Sequence, residues 1–179
     1  MLNKIVYHIV IFAAILVGAF EFHQRTIVSG KEDTQIETPI TQSSPPCIQM
    51  YYAIEKYSEA YGIPKKYAYG LAYSETRYRG PFDWAYTAER ISPVSAQGPM
   101  QIMLATAKLM WPGRNITEKE LRCNIDFNVE TSMKCIKHLH EVYGDWKLAF
   151  GAYNTGRPMV NQYAMDVYSY KHENTIPNF

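Results

Sequence analysis

The stretch Pro64-Lys65-Lys66-Tyr67-Ala68-Tyr69-Gly70-Leu71-Ala72-Tyr73-Ser74-Glu75-Thr76-Arg77 reads as a helix with one acid on its apolar side. Pro64 suits the first helical position, because its φ is fixed near the helical value and its missing N–H would have no partner there. Ala68, Leu71 and Ala72 form one face, and Glu75 falls on that face seven, four and three residues later. A carboxylate on the buried side of a helix is desolvated, which favours its protonated form. A glutamic acid kept protonated near neutral pH meets the requirement for a general acid. A buried Glu paired with an Arg or a backbone group would give the same pattern, so this stretch alone leaves both readings open.

Upstream of it, Tyr51, Ile54, Tyr57 and Tyr61 recur at helical spacing until Gly62 stops the helix. Downstream, Gly80 and Pro81 break the chain into a polar loop that runs to about Ser95. Such a loop is long for a small helical domain, and long loops in compact folds are commonly functional. A second apolar helix is expected from about Gly98 to Met110, stopped by Trp111-Pro112-Gly113. Thr117 with Glu120 forms a capping box for a short helix. A longer helix follows from about Phe127 to Tyr143, with Val129, Met133 and Ile136 on one face and Gly144 as its stop. Asp145 can cap the next, which turns Leu148, Ala149, Ala152 and Tyr153 inward. After Asn154-Thr155-Gly156-Arg157, Pro158 is expected to open a last helix with Val160, Tyr163, Ala164 and Val167 in register. No alternating strand pattern or repeat stands out, so the fold class is mainly α.

The chain has 179 residues, of which 47% are apolar and 20% charged, enough for one domain with a real core and extensions. A net charge of +1 with no basic run gives no nucleic-acid signal. An apolar run from Ile5 to Phe20 follows Met-Leu-Asn-Lys. It is short for a membrane span and long enough for a signal-peptide core, so residues 1–20 read as a signal peptide or an uncleaved signal anchor. Residues 21–46 are polar, without lasting periodicity, and close on Ser-Ser-Pro-Pro: a flexible linker. The compact domain is expected over 47–171 and a loose tail over 172–179. Either reading of the first segment exports the domain to the periplasm or cell wall, with anchoring in the membrane as one outcome.

Several chemistries have no foothold. There is no glycine-rich phosphate loop and no G-x-S-x-G elbow. His138 and His140 are two apart and point to different helix faces, so no zinc pattern forms. Cys47, Cys123 and Cys135 are too few for a disulfide framework and lack metal-ligand spacing. No metal or other cofactor is expected. What remains is the loop Ser92-Pro93-Val94-Ser95-Ala96-Gln97-Gly98-Pro99-Met100-Gln101-Ile102 and, further on, Ala152-Tyr153-Asn154-Thr155-Gly156. Together with Glu75 near a helix end, these blocks resemble the signature of soluble-type (SLT) lytic transglycosylases, in the goose-lysozyme-like superfamily. That signature runs Glu-Ser, then Ser-x-x-Gly-Ala-x-Gly-Leu-Met-Gln, then Ala-Tyr-Asn-x-Gly. Here Thr76 stands for the usual Ser, Ser95 for Gly and Pro99 for Leu, while Ser92, Ala96, Gly98, Met100 and Gln101 match. The resemblance covers about residues 48–168.

The resemblance implies a lysozyme-like α fold with a groove for the glycan strands of peptidoglycan. Glu75, by matched position, would protonate the oxygen of the β-1,4 bond between N-acetylmuramic acid and N-acetylglucosamine. As a carboxylate it would then assist attack by the muramyl 6-hydroxyl, giving a 1,6-anhydro product. Tyr153 would face that carboxyl and hydrogen-bond it, Met100 and Gln101 would line the groove, and Ser92 and Asn154 would contact substrate. Tyr78, Trp84 and Tyr86, in the variable loop, are candidates for stacking on sugars. A hydrolytic muramidase would need a second carboxylate to activate water, about 6.5–9.5 Å from the acid if it inverts, and Asp83 or Glu89 is placed in sequence to supply it. A non-catalytic glycan-binding protein is the reading from another class. A monomer is expected, and a secretion apparatus, a phage assembly or wall remodelling would each suit such a chain.

Overall fold

The computed structural model describes residues 44–171. The segment read as signal or anchor, nearly all of the linker and the tail at 172–179 lie outside the described residues. Among those described, seven helices follow one another: α1 (Pro46–Ala60), α2 (Lys65–Thr76), α3 (Leu104–Met110), α4 (Glu118–Cys123), α5 (Ile125–Tyr143), α6 (Trp146–Thr155) and α7 (Gln162–Tyr168). No helix among them is long and apolar enough to cross a membrane.

α5 is the central pillar, packed between α1 and α6, while α7 lies across α6 and α2. Its apolar face buries Val129, Met133 and Ile136 completely, against Met50 and Ile54 of α1 and Phe150 of α6 in the same core. Local chemistry fixes the helix ends. The Asn124 side chain accepts the Phe127 N–H, and Gly144, left-handed at φ 68, closes α5. The Asp145 carboxylate takes the Lys147 and Leu148 N–H groups at the start of α6.

Three helix starts differ from the sequence reading. Pro64 is the cap of α2 rather than its first residue. The helix expected from Gly98 begins only at Leu104, because Gly98 and Gln101 take left-handed φ of 75 and 51, which no α-helix continues through. Residues 97–102 instead form a tight loop in which Gln97 and Ile102 exchange backbone hydrogen bonds of 2.9 and 3.0 Å. The last helix starts at Gln162, not Pro158, since the Asn161 side chain accepts the Ala164 N–H and so sets the cap.

That tight loop is held by one buried side chain. Asn128 of α5 accepts the Met100 N–H (2.9 Å) and donates to the carbonyls of Gln97 (2.9 Å) and Leu121 (2.8 Å). Gly98 passes so close that a Cβ there would lie 2.4 Å from the Leu121 oxygen and 2.7 Å from the Asn128 amide nitrogen. Asn128→Ala would strand buried backbone groups on both sides, so a loss of about 3 kcal/mol is expected in denaturant unfolding. A loss below about 1 kcal/mol would show that the loop is held by something else.

Candidate active site

Glu75 lies in the last turn of α2, which ends because Arg77 turns left-handed at φ 61. The next residue, Thr76, is buried and ties this helix end to the loop. Its hydroxyl donates to the Pro99 carbonyl (2.8 Å), and the Tyr86 hydroxyl lies 2.9 Å from it. The residue next to the acid thus bonds the Gln97–Gln101 loop directly, although the two are more than 20 residues apart. Three non-glycine residues have positive φ among those described: Arg77, Ser95 and Gln101. All three lie at this helix end, in this loop or two residues before it, where residues held in sparsely populated backbone regions commonly accompany function. Ser95 is the position where the family signature has glycine, and its φ of 65 explains why glycine suits it.

The Glu75 carboxyl is half-buried and accepts a hydrogen bond at Oε1 from the Tyr163 hydroxyl of α7. Burial pushes its pKa from the ordinary 4.5 up to about 7, against the opposing effect of the Tyr163 bond, which favours the ionised form. Glu75 in turn helps burial to raise both Tyr163 and Tyr153 well above the usual tyrosine value. Both phenols therefore stay protonated at neutral pH and can only give or share hydrogen bonds.

Tyr153 does not make the expected bond to Glu75. Its hydroxyl donates to the Met100 carbonyl (2.8 Å) and lies 2.8 Å from the Ser132 hydroxyl, so it fastens α6 to the tight loop and α5. Tyr163 takes the place beside the acid. Met100 is fully buried and belongs to the core rather than to a groove wall; only its backbone meets Tyr153 and Asn128. Tyr78 and Tyr86 are 1% and 6% exposed, pack edge-to-face at 5.0 Å, and cannot stack on a sugar. The Tyr78 hydroxyl is spent on the Cys47 carbonyl (2.8 Å). Ser92 accepts the N–H groups of Ala96 (3.0 Å) and Val94 (3.3 Å) with its hydroxyl, holding the loop's own turn. Three candidates keep accessible groups: Trp84 at 66% exposure, the exposed Asn154, and Gln101, half-buried with its amide on the Gly98 carbonyl (2.8 Å).

Neither Asp83 nor Glu89 is among the groups acting on the Glu75 carboxyl. The charge of Asp83 bears instead on Cys47, Tyr78 and Tyr86. Glu89 is exposed, faces the Cys123 thiol at 3.6 Å, and lines a surface cavity of about 590 Å³ with Gln49, Glu120 and Cys123. That cavity contains none of the residues around Glu75. The three thiols are free, and no group of His, Cys, Asp and Glu able to hold a metal occurs among the described residues.

Tyr163, Thr76 and Asn128 are the site residues that sequence reasoning did not single out. Asn128 carried a usable signal, a polar residue within the apolar face of an amphipathic helix. Tyr163 carried none, because a tyrosine in helical register reads as core.

The pattern of the transglycosylase SLT domain matches residues 52–176. Among solved structures, the 70 kDa soluble lytic transglycosylase from Escherichia coli is similar over 65% of this chain and 18% of its own, with 24% identity and a TM-score of 0.50. An inactive mutant of the lytic transglycosylase Slt from Pseudomonas aeruginosa matches over 59% of this chain and 16% of its own, at 20% identity and a TM-score of 0.49. The 70-kDa soluble lytic transglycosylase in complex with bulgecin A matches at 23% identity, a TM-score of 0.49 and the same coverage as the first. The present chain thus spans less than a fifth of the length of these solved relatives. No curated protein matches it. The fold is mainly α and lysozyme-like, and the chain belongs to the transglycosylase SLT domain family.

Proposed function

We propose that this chain is a peptidoglycan lytic transglycosylase in which Glu75 acts first as acid and then as base. The observation that carries the reading is a single carboxyl with its pKa raised to about 7, bonded by one neutral phenol. A group with that pKa holds its proton in the resting site and can release and regain it at little cost. Because Tyr163 occupies Oε1, the proton to be donated sits on Oε2. It passes to the oxygen of the β-1,4 bond as the muramyl C1–O bond breaks. The carboxylate left behind is stabilised by the Tyr163 hydroxyl. It then takes the proton from the muramyl 6-hydroxyl as O6 bonds to C1, closing the 1,6-anhydro ring without consuming water. A hydrolase that inverts would need its second carboxylate poised for water; Glu89 lines a separate cavity, and the charge of Asp83 bears on Cys47, Tyr78 and Tyr86.

Trp84 offers an exposed indole to stack on a sugar face, and Gln101 and Asn154 offer amides to its hydroxyl and acetamido groups. Peptidoglycan strands as substrate imply work in the wall-facing compartment, consistent with the export signal or anchor read over residues 1–20.

Two outcomes test this reading. Glu75→Gln should cut product formation more than about a hundredfold, and mass spectrometry of wild-type digests should show 1,6-anhydro ends; reducing-end muramic acid would identify a hydrolase instead. The second concerns stability. The unfolded chain loses the Glu75 proton near 4.5, the folded one near 7. Between these values the native state holds a proton that the unfolded state has released, so stability falls as pH rises through this window and stays lower above it. Glu75→Gln should therefore match wild type at pH 4 and exceed it at pH 8 by about 2 kcal/mol, a figure discounted for the solvent that reaches the carboxyl. Denaturant unfolding at the two pH values reads this directly, and an equal difference at both would contradict it.

A further inference from the structure

Two glycines face the C-terminal segment that carries Tyr163. On α6, a Cβ at Gly151 would lie 1.7 Å from the Met159 carbonyl oxygen and 2.8 Å from its carbonyl carbon. On α2, a Cβ at Gly70 would lie 2.8 Å from the Val167 carbonyl oxygen and 3.0 Å from the Tyr170 Cβ. Neither glycine has a positive φ, so conformational freedom does not account for them. Both sit inside helices, where glycine is the poorer choice. What they share is a bare backbone under one and the same segment.

Met159 and Val167 stand four residues before and four after Tyr163, so the two close approaches bracket the residue that bonds Glu75. The segment has further pins near its start. The Thr155 hydroxyl donates to the Gly151 carbonyl (2.8 Å) and accepts the Arg157 N–H (3.2 Å). Asn161, the cap of α7, reaches back to the Asn154 side chain at 3.4 Å. With these ends fixed, the depth at which the segment lies on α6 and α2 sets how far the Tyr163 hydroxyl reaches.

We propose that Gly151 and Gly70 are positioning residues, which let the segment 157–170 lie low enough for the Tyr163 hydroxyl to meet the Glu75 carboxyl. A hydrogen bond tolerates displacement of only a few tenths of an ångström. A Cβ at either position meets backbone, which cannot rotate aside, so the whole segment must lift. The meaning of this contact for the reaction rests on Glu75 as the acid; the contact itself does not.

The titratable groups facing Glu75 are Tyr163 from α7 and Tyr153 from α6. Since the Tyr163 bond favours the ionised carboxyl, lifting the segment should raise the Glu75 pKa. The test is a ¹³C NMR titration of the Glu75 carboxyl in the full chain, with circular dichroism as the check of folding. Gly70→Ala, the milder clash, should stay folded and raise the Glu75 pKa in the direction and by about the amount that Tyr163→Phe does. In the Tyr163→Phe background, Gly70→Ala should add nothing. No rise, or an equal rise in both backgrounds, would overturn the proposal, because the glycine would then act by another route. Loss of the fold in both Gly70→Ala and Gly151→Ala would overturn it too, since the glycines would be holding the domain rather than placing one hydroxyl. Unchanged activity of Glu75→Gln, by contrast, would sink the functional reading and leave the NMR result standing.

Discussion

The loop that ties the end of α2 to α6 hangs on one buried amide. Asn128 makes three hydrogen bonds from the middle of the core, and in doing so pins a loop that has no helix or sheet to hold it. Buried backbone groups left unpaired are expensive, so a loop at this depth exists only if some side chain completes its bonding. Once pinned, the loop becomes a hub. Its Pro99 carbonyl holds Thr76 and hence the end of α2, and its Met100 carbonyl holds Tyr153 and hence α6. Helices α2, α5 and α6 are thus registered against one another through six consecutive residues.

Within that frame, the raised pKa of Glu75 comes from desolvation rather than from a neighbouring negative charge. The distinction matters for chemistry. Two carboxylates in contact share their protons as a pair, whereas a lone buried carboxyl titrates as itself and can take both halves of an acid–base cycle. A neutral phenol is a suitable companion for it. It supplies a hydrogen bond in either protonation state of the acid and never competes for the proton, because Tyr163 is held well above its usual titration range.

How much could be read from the chain alone follows from which forces are local. Glu75 was legible because helical periodicity is a local property, and a carboxylate on the apolar face of α2 violates it visibly. The caps at Thr117 and Asp145 were legible for the same reason. The aromatic residues were not, because Tyr78, Trp84 and Tyr86 look alike in sequence, yet burial sorts them into two core rings and one exposed one. Tyr163 stands 88 residues from the carboxyl it bonds, a separation that no periodicity spans. The false helix start at Gly98 has a similar origin. The apolar residues that follow Gly98 read on into the helix at Leu104, but Asn128, distant in sequence, holds residues 97–100 in a loop by bonding the Met100 N–H and the Gln97 carbonyl.

The place of Glu75 at the end of α2 has one more effect. The aligned peptide dipoles of a helix leave about half a negative charge at its C-terminus, where the last carbonyls lack intrahelical partners. Glu75 sits in that final turn, and the turn contains no basic residue to offset the field; Arg77 lies just past it and over the Tyr73 ring at 5.1 Å. The backbone itself therefore opposes ionisation of the side chain it carries. The same carboxyl moved to the first turn of an equally buried helix would meet the opposite field and give up its proton more readily. Where an acid stands along its helix is thus part of how strong an acid it is.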